Sequence, residues 1–197
     1  MNKDQFCLKD HITTIPNFPK EGIMFRDVTP ILECPEAFNY VTDKFLEFAK
    51  ELNVNCIVGP ESRGFIFGAP VANNGKFKFV PVRKPGKLPR EVIKVDYDLE
   101  YGSNTLCMHK DAISKGDRVL VIDDLLATGG TIAACNELVK MLGGEVCGYA
   151  FVVELVDLKG REKVKDGKVF SLITFEGEWL IYKLKNYERR LNICKMK

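Results

Sequence analysis

Two adjacent aspartates followed by a glycine-rich turn are the residues in this sequence best suited to chemistry. Asp123 and Asp124 follow a run of four apolar residues, and residues 127–131 read Ala-Thr-Gly-Gly-Thr. The glycines allow backbone N–H groups to converge on an anion, and the threonines add hydroxyl donors. The aspartates would repel a phosphate, but they suit sugar hydroxyls or the water shell of Mg²⁺. The pattern therefore indicates a site for a phosphorylated sugar.

The residues on either side of this turn predict the elements that hold it. Residues 119–122 (V-L-V-I) are typical of a strand buried on both faces, and residues 130–141 have a helical pattern that Gly143 and Gly144 end. The amino end of that helix favours a phosphate. The turn lacks the lysine of a P-loop, and no G-x-G-x-x-G dinucleotide fingerprint follows a strand. An ordinary strand–turn–helix connection remains the alternative.

A second short loop, residues 59–64, has glycine at each end and contains Glu61, Ser62 and Arg63. A loop of this kind can turn backbone amides and one guanidinium toward a pyrophosphate. A plain connection between a strand and a helix is the alternative interpretation.

Residues 83–94 form a basic run that Pro85, Gly86 and Pro89 keep out of regular structure. Its positive residues are Arg83, Lys84, Lys87, Arg90 and Lys94, against Glu91 alone. A solvated loop is one interpretation of such a run. Beside a diphosphate site, it would instead be a lid whose cations meet the departing pyrophosphate.

Strand and helix patterns alternate along the chain without repeats or low-complexity linkers. Helices are predicted at 35–52, 64–72 and 130–141, and strands at 56–59, 77–82, 119–122, 148–155 and 169–175. This alternation predicts an α/β domain with a mainly parallel sheet and helices on both faces. Ligands in such sheets bind beyond the carboxyl ends of the strands, where both candidate loops fall.

Composition is consistent with one globular domain. The 197 residues are 46% hydrophobic and carry a net charge of +2. We therefore expect no bulk attraction to nucleic acid or to a membrane. The chain has no apolar run of membrane-spanning length, and its amino terminus lacks the apolar segment of a secretion signal. A soluble, cytoplasmic protein is the expectation.

The seven cysteines are not spaced as a metal site or a disulfide framework. They form no C-x-x-C pair, and only His11 and His109 could assist them. We expect small, mostly buried thiols in a reducing compartment.

Five segments together resemble one enzyme family. V-L-V-I-D-D-L-L-A-T-G-G-T (119–131) resembles the phosphoribosyl-pyrophosphate (PRPP) motif of the type I phosphoribosyltransferases, and its form is similar to that of the adenine-specific members. The other segments that resemble the family are N-F-P-K-E-G-I-M-F-R-D-V-T-P (17–30), G-P-E-S-R-G-F-I-F-G (59–68), R-K-P-G-K-L-P with Y-D-L-E-Y-G (83–89, 97–102) and V-E-L-V-D-L-K-G-R-E-K (153–163). The resemblance covers roughly residues 10–176.

The resemblance implies a fold and a reaction. The fold is that of the type I phosphoribosyltransferases, within residues 1–176, with a small amino-terminal hood at about 10–34 and a catalytic lid at about 83–102. The reaction is the transfer of the 5-phosphoribosyl group from PRPP to N9 of adenine in purine salvage, giving AMP and pyrophosphate. Mg²⁺ as cofactor and a homodimer are implied as well.

The resemblance also implies roles for individual residues. The 5′-phosphate is held by Ala127, Thr128, Gly129, Gly130 and Thr131, and the ribose hydroxyls by Asp123 and Asp124. Glu61, Ser62, Arg63, Arg83, Lys84 and Lys87 face pyrophosphate, and the peptide between Glu61 and Ser62 is expected to be cis. Glu100 acts as the catalytic acid on the base, together with Arg63, while Tyr101 belongs to the lid. Adenine contacts Met24, Phe25, Arg26 and Leu155, although Met24 and Phe25 could equally be core residues. Mg²⁺ is held through PRPP and water, with Asp123 or Asp124 as the candidate protein contact.

The segment 177–197 extends beyond the resemblance. Leu180, Leu184, Tyr187, Leu191 and Cys194 fall at helical intervals among basic residues. We expect a helical extension packed on the core or on a second subunit, with a basic arm for RNA or anionic membrane, or disorder, as alternatives.

Two rival functions stay open. One is the same reaction with another 6-substituted purine, against which the segment 17–27 argues. The other is a non-enzymatic PRPP-sensing regulator, which only the basic tail favours.

Overall fold

The structure, a computed structural model, describes residues 7–98, 103–164 and 166–177. Its centre is a five-stranded sheet in the order β4-β3-β7-β8-β9, in which every neighbouring pair is parallel. The strands are β3 (Cys56–Pro60), β4 (Lys78–Val82), β7 (Arg118–Leu126), β8 (Glu145–Leu155) and β9 (Lys168–Phe175). Because all five run in one direction, their carboxyl ends meet at one edge of the sheet.

Helices cover both faces of this sheet. They are α1 (Thr29–Glu33), α2 (Pro35–Glu51), α3 (Arg63–Gly75) and α4 (Gly130–Met141), with short 3₁₀ turns at Leu8–His11, Val156–Leu158 and Gly160–Lys163. The helices α1, α2 and α3 pack against one face, and α4 packs against the other.

The apolar run in β7 shows why this strand lies between two layers. Leu120 and Ile122 point into the cluster formed with α2 and α3, whereas Val119 and Val121 point into the cluster formed with α4. All four side chains are fully buried. Successive side chains on a strand point to opposite faces, so a continuous apolar run fits a strand covered on both sides.

Two antiparallel ribbons lie outside the central sheet. One ribbon pairs β1 (Thr13–Pro16) with β2 (Met24–Asp27), within the predicted hood segment. The other, the β5–β6 ribbon, pairs β5 (Val92–Asp98) of the predicted lid segment with β6 (Ser103–His109), which follows that segment. Neither ribbon was predicted from the sequence. Val95, Leu106 and Met108 of the β5–β6 ribbon are buried in the α4 cluster, so this ribbon is part of the core.

The predicted parallel sheet flanked by helices is confirmed, and the predicted elements occur with shifted ends. The main shift is at β7, which runs on to Leu126 because residues up to that point pair with β8. Asp123 and Asp124 therefore belong to the strand instead of following it. Glu100, Tyr101 and the extension beyond Gly177 lie outside the described residues. Within the part of the chain that is described, no helix has the length and apolarity needed to cross a membrane.

Candidate active site

The turn after β7 closes one end of a cavity of about 420 Å³ at the carboxyl edge of the sheet. Gly129 has φ 78°, a left-handed conformation that glycine adopts without steric cost, and α4 begins at the next residue. The first-turn N–H groups of α4 therefore lie beside this turn. The cavity is lined by Glu61, Ser62, Arg63, Lys84, Asp123, Asp124, Leu125, Leu126, Ala127, Thr128, Gly129, Gly130, Thr131 and Ile132.

The two aspartates of β7 occupy the floor of this cavity and differ in exposure. Asp124 is 4% exposed, whereas Asp123 is partly exposed. The backbone N–H of Asp124 donates to the Asp123 carboxylate at 2.9 Å. Burial first and then the charge of Asp124 raise the pKa of Asp123 well above its ordinary value, although nearby Arg63 lowers it. Bringing two carboxylates together in a half-buried cavity calls for a cation or hydroxyl donors between them.

Arg63 supplies one such donor. It is the first residue of α3, and its guanidinium donates to the Asp124 carboxylate. The start of α3 lies close against the end of β7, because a Cβ on Gly64 would come within 2.9 Å of the Ile122 carbonyl oxygen and 3.2 Å of an Asp123 carboxylate oxygen. Only glycine fits this approach without movement. The peptide between Glu61 and Ser62 is cis, as expected from the resemblance.

Glu61 connects this loop to the base of the lid. Its carboxylate accepts hydrogen bonds from Arg83 Nε at 2.9 Å and from the backbone N–H of Lys84 at 3.2 Å. Arg83 also donates from Nη1 to the carbonyl oxygen of Lys87 at 3.1 Å, which braces the turn between Lys84 and Lys87. The Glu61 carboxylate itself lines the cavity, and its hydrogen bonds fix the positions of the Arg83 side chain and the Lys84 backbone.

The hood meets the sheet at the carboxyl end of β9. The Arg26 guanidinium lies 3.9 Å from the centre of the Phe175 ring, and Phe175 is the register partner of Leu155 at the end of β8. Arg26 therefore reaches the same edge of the sheet as Leu155. Met24 and Phe25 are half-buried on β2 and do not belong to the buried core.

The match to known proteins decides the family. A phosphoribosyl transferase domain model matches residues 31–182. The adenine phosphoribosyltransferase of Thermoanaerobacter pseudethanolicus is 49% identical, with 85% of this chain and 98% of that chain covered and a TM-score of 0.83. The chain belongs to the adenine phosphoribosyltransferase family.

Two further members of that family give the same picture. The Rhodothermus marinus enzyme is 46% identical over 85% of this chain and 96% of its own, with a TM-score of 0.81. The Saccharomyces cerevisiae enzyme, solved with an imino-altritol bisphosphate and adenine, is 45% identical over 84% of this chain and 96% of its own, with a TM-score of 0.80. The resemblance, the phosphoribosyltransferase fold and the enzyme class predicted from the sequence are confirmed.

Most of the predicted site residues of this phosphoribosyltransferase come together in the cavity. Those that line it are Glu61, Ser62, Arg63, Lys84, Asp123, Asp124, Ala127, Thr128, Gly129, Gly130 and Thr131. Arg83 and Lys87 lie next to it, in the turn that Glu61 holds. Met24, Phe25, Arg26 and Leu155 lie apart from its lining, at the hood side of the same sheet edge.

One contact of the glycine turn (residues 127–131), which we call the phosphate turn after its expected role, was not predicted from the sequence. The segment 156–163 packs directly on the turn, because a Cβ on Gly160 would lie 2.3 Å from the Ala127 carbonyl oxygen. The following residue, Arg161, pairs with buried Glu154. The resemblance of residues 153–163 to the family singled out this segment, but its pattern K-G-R-E-K after an apolar strand is also typical of an exposed turn and indicates no such contact.

Proposed function

We propose that this chain transfers the 5-phosphoribosyl group of PRPP to N9 of adenine, releasing pyrophosphate and forming AMP. The observation that carries the proposal is that a glycine turn, a carboxylate pair and a cationic loop line one cavity. This combination suits a sugar that carries a phosphate and a diphosphate. The family's reaction and the adenine bound to the yeast relative support the choice of substrates.

The glycine turn is suited to the 5′-phosphate. The residues proposed to hold it are Ala127, Thr128, Gly129, Gly130 and Thr131. Their backbone N–H groups, two hydroxyls and the amino end of the 12-residue helix α4 all favour an anion. With no lysine in the turn, backbone donors would carry the recognition.

The aspartates are suited to the ribose and to a metal. Asp123 and Asp124 would accept hydrogen bonds from the ribose hydroxyls. Carboxylate oxygens beside a diphosphate also match the preference of Mg²⁺, which keeps several waters and is held by one or two carboxylates plus substrate phosphates. Bound there, Mg²⁺ would neutralise charge on the departing pyrophosphate.

The loop 61–63 and the lid are suited to the pyrophosphate. Arg63 and Lys84 reach the cavity, and Arg83 and Lys87 stand behind them. When adenine N9 attacks the anomeric carbon, the bond from that carbon to the pyrophosphate oxygen breaks, and negative charge develops on the leaving group. Fixed cations stabilise this charge most in the transition state.

The base is assigned to the hood and to Glu100. Main-chain groups of residues 24–26 would pair with adenine, and Leu155 would pack on the ring. Glu100, which lies outside the described residues, is proposed by resemblance to hydrogen-bond N7 while the N9 proton passes to solvent as the bond to the anomeric carbon forms. We propose Tyr101 as part of the lid on the same basis.

The test is to supply Mg²⁺, PRPP and one base at a time: adenine, hypoxanthine, guanine or xanthine. AMP formed from adenine alone is the expected result. Turnover of an oxopurine instead would contradict the assignment of the hood, and no product despite PRPP binding would favour a regulator. Glu100→Gln should lower kcat far more than it weakens PRPP binding, and equal loss of both would refute its catalytic role.

A further inference from the structure

A buried carboxylate lies at the end of β8, on the far side of the phosphate turn from Arg63. Glu154 is 4% exposed, and three donors satisfy it. Arg161 donates from Nε at 2.5 Å and from Nη2 at 2.6 Å, and the Ser171 hydroxyl donates at 2.6 Å. Arg161 also reaches the Val169 carbonyl oxygen at 3.5 Å. We call Glu154, Arg161 and Ser171 the clamp.

In the clamp, the charge of the buried Glu154 carboxylate is balanced by the Arg161 guanidinium. Burial alone would raise the pKa of Glu154, but the hydrogen bonds from Arg161 and Ser171 outweigh it and leave this pKa below its ordinary value. The two parallel donors of a guanidinium fit a carboxylate in a way that an ammonium cannot reproduce. The position of Arg161 is therefore fixed by β8 and β9, which carry the other two members.

The segment that carries Arg161 touches the phosphate turn by its backbone. A Cβ on Gly160 would lie 2.3 Å from the Ala127 carbonyl oxygen, and a Cβ on Gly129 would lie 2.5 Å from the Gly160 carbonyl oxygen. Contacts this close leave no slack between the two backbones. A shift of residue 160 toward the turn would therefore displace residues 127–129, whereas the loop 61–63 approaches the cavity from β3 on the other side.

We propose that Glu154 and Arg161 are positioning residues that hold Gly160 against the phosphate turn and thereby set the affinity for the sugar-phosphate end of the substrate. Neither residue touches the reacting atoms. The proposal rests on the proposed role of residues 127–131 in binding the 5′-phosphate. A purely structural ion pair would stabilise the fold without distinguishing the two ends of the substrate.

The test compares two ligands that occupy opposite ends of the cavity. Binding of ribose 5-phosphate and of Mg²⁺-pyrophosphate to the full chain is measured by calorimetry, for the unaltered protein and for Arg161→Lys, which keeps the charge but loses the paired donors. We expect the dissociation constant for ribose 5-phosphate to rise about three- to thirtyfold. The constant for pyrophosphate should stay within about twofold.

Arg118 provides a matched control. It pairs with Glu145 at 3.1 Å and donates to the carbonyl oxygens of Asn53 and Leu52, so it resembles Arg161 but lies at the opposite end of the sheet. Arg118→Lys should lower Tm and leave both affinities unchanged. Arg161→Lys with a lowered Tm and unchanged affinity for ribose 5-phosphate, or with equal loss for both ligands, would overturn the proposal.

A second variant alters the same contact while keeping all three side chains of the clamp. Gly160→Ala places a methyl group against the Ala127 carbonyl, and the same selective loss of ribose 5-phosphate binding is expected even if Arg161→Lys does not fold. If the unaltered chain fails to bind ribose 5-phosphate, the proposed function fails together with the clamp. If the unaltered chain binds it and Gly160→Ala binds it equally well, the clamp alone is refuted.

Discussion

The Arg63 guanidinium donates a hydrogen bond to the Asp124 carboxylate and so joins the start of α3 to the end of β7. The Asp124 side chain is 6% exposed, whereas that of Arg63 is 45% exposed. The carboxylate is thus held inside the protein, while the guanidinium remains open to the cavity. This arrangement agrees with the proposed roles of Asp124 at the ribose and of Arg63 at the pyrophosphate.

We expect Arg63→Gln to lower kcat/KM for PRPP more than kcat/KM for adenine. Losing a charged donor to the diphosphate should lower kcat/KM for PRPP about 10- to 100-fold, since hydrogen bonds to charged groups contribute about 1.5–3 kcal/mol. Steady-state kinetics with each substrate varied in turn measures this effect. Lys44→Gln is the control, because Lys44 is an exposed cation on α2 that pairs with Glu47. An unchanged kcat/KM for PRPP in Arg63→Gln would contradict the assignment.

We expect Glu61→Gln to weaken binding at the pyrophosphate end of the site, because Arg83 and Lys84 lose their charged partner. The amide keeps the shape of the side chain but loses the charge that holds Arg83 Nε. Because Arg83 is about one-third exposed, with 35% of its side chain accessible, we expect a modest rise of about three- to tenfold in KM for PRPP.

Inhibition by pyrophosphate should weaken in parallel in Glu61→Gln, while KM for adenine stays constant. Glu47→Gln, which removes half of an exposed ion pair on α2, is the control. Stronger pyrophosphate inhibition in Glu61→Gln would show instead that the carboxylate repels the ligand directly.

Asp123→Asn should stabilise the free protein at neutral pH. Burial and the charge of Asp124 raise the pKa of Asp123 in the folded chain. A carboxyl whose pKa is raised by folding stabilises the fold only while it is protonated. This contribution is lost as the pH rises from the pKa of the unfolded chain, about 3.9, through the pKa of the folded chain. Asparagine carries no charge, so the Tm of Asp123→Asn should exceed that of the unaltered chain at pH 7.

The Tm difference should shrink as the pH falls towards about 4, where the unaltered carboxyl is protonated as well. Thermal unfolding measured across this pH range is the test, with Asp43→Asn on the exposed side of α2 as the control. Ribose 5-phosphate binding should weaken in the same variant because a hydroxyl acceptor is lost. A lower Tm for Asp123→Asn at pH 7 would contradict the prediction that the ionised Asp123 carboxylate destabilises the folded chain.

The cysteines should divide into reactive and protected groups. Cys7 is exposed and Cys34 is half-buried, whereas Cys56 and Cys135 are fully buried. Burial raises the pKa of Cys56 to about 12, and burial also raises the pKa of Cys135, so neither forms a thiolate at pH 8. Peptide mapping after alkylation should show Cys7 and Cys34 labelled in the native protein, and Cys56 and Cys135 only after unfolding. Native labelling of Cys135 would contradict the packing of α4 on the sheet.

The sequence was sufficient to predict the elements whose signals are local. The apolar run before Asp123, the glycines at 129–130 and the amphipathic pattern from Pro35 each depend on residues a few positions apart, and each prediction corresponds to an observed element. The alternation of these elements predicted a parallel sheet, because parallel neighbours require a crossover between them. Because the strands are parallel, the loops 61–63 and 127–131 meet at one edge of the sheet. The sequence therefore also predicted where the cavity lies.

Only the tertiary structure decided which distant side chains meet. Glu61 accepts a hydrogen bond from Arg83, 22 positions away in the sequence, and Arg63 donates to Asp124, 61 positions away. No local pattern specifies such pairs. The two antiparallel ribbons were missed because strand pairing depends on a partner as well as on propensity. The contact of Gly160 with Ala127 arises only when β8 lies beside β7 and the turns at their ends are pressed together. Residue types therefore determined the chemistry available to this chain, and packing determined which groups act on the same ligand.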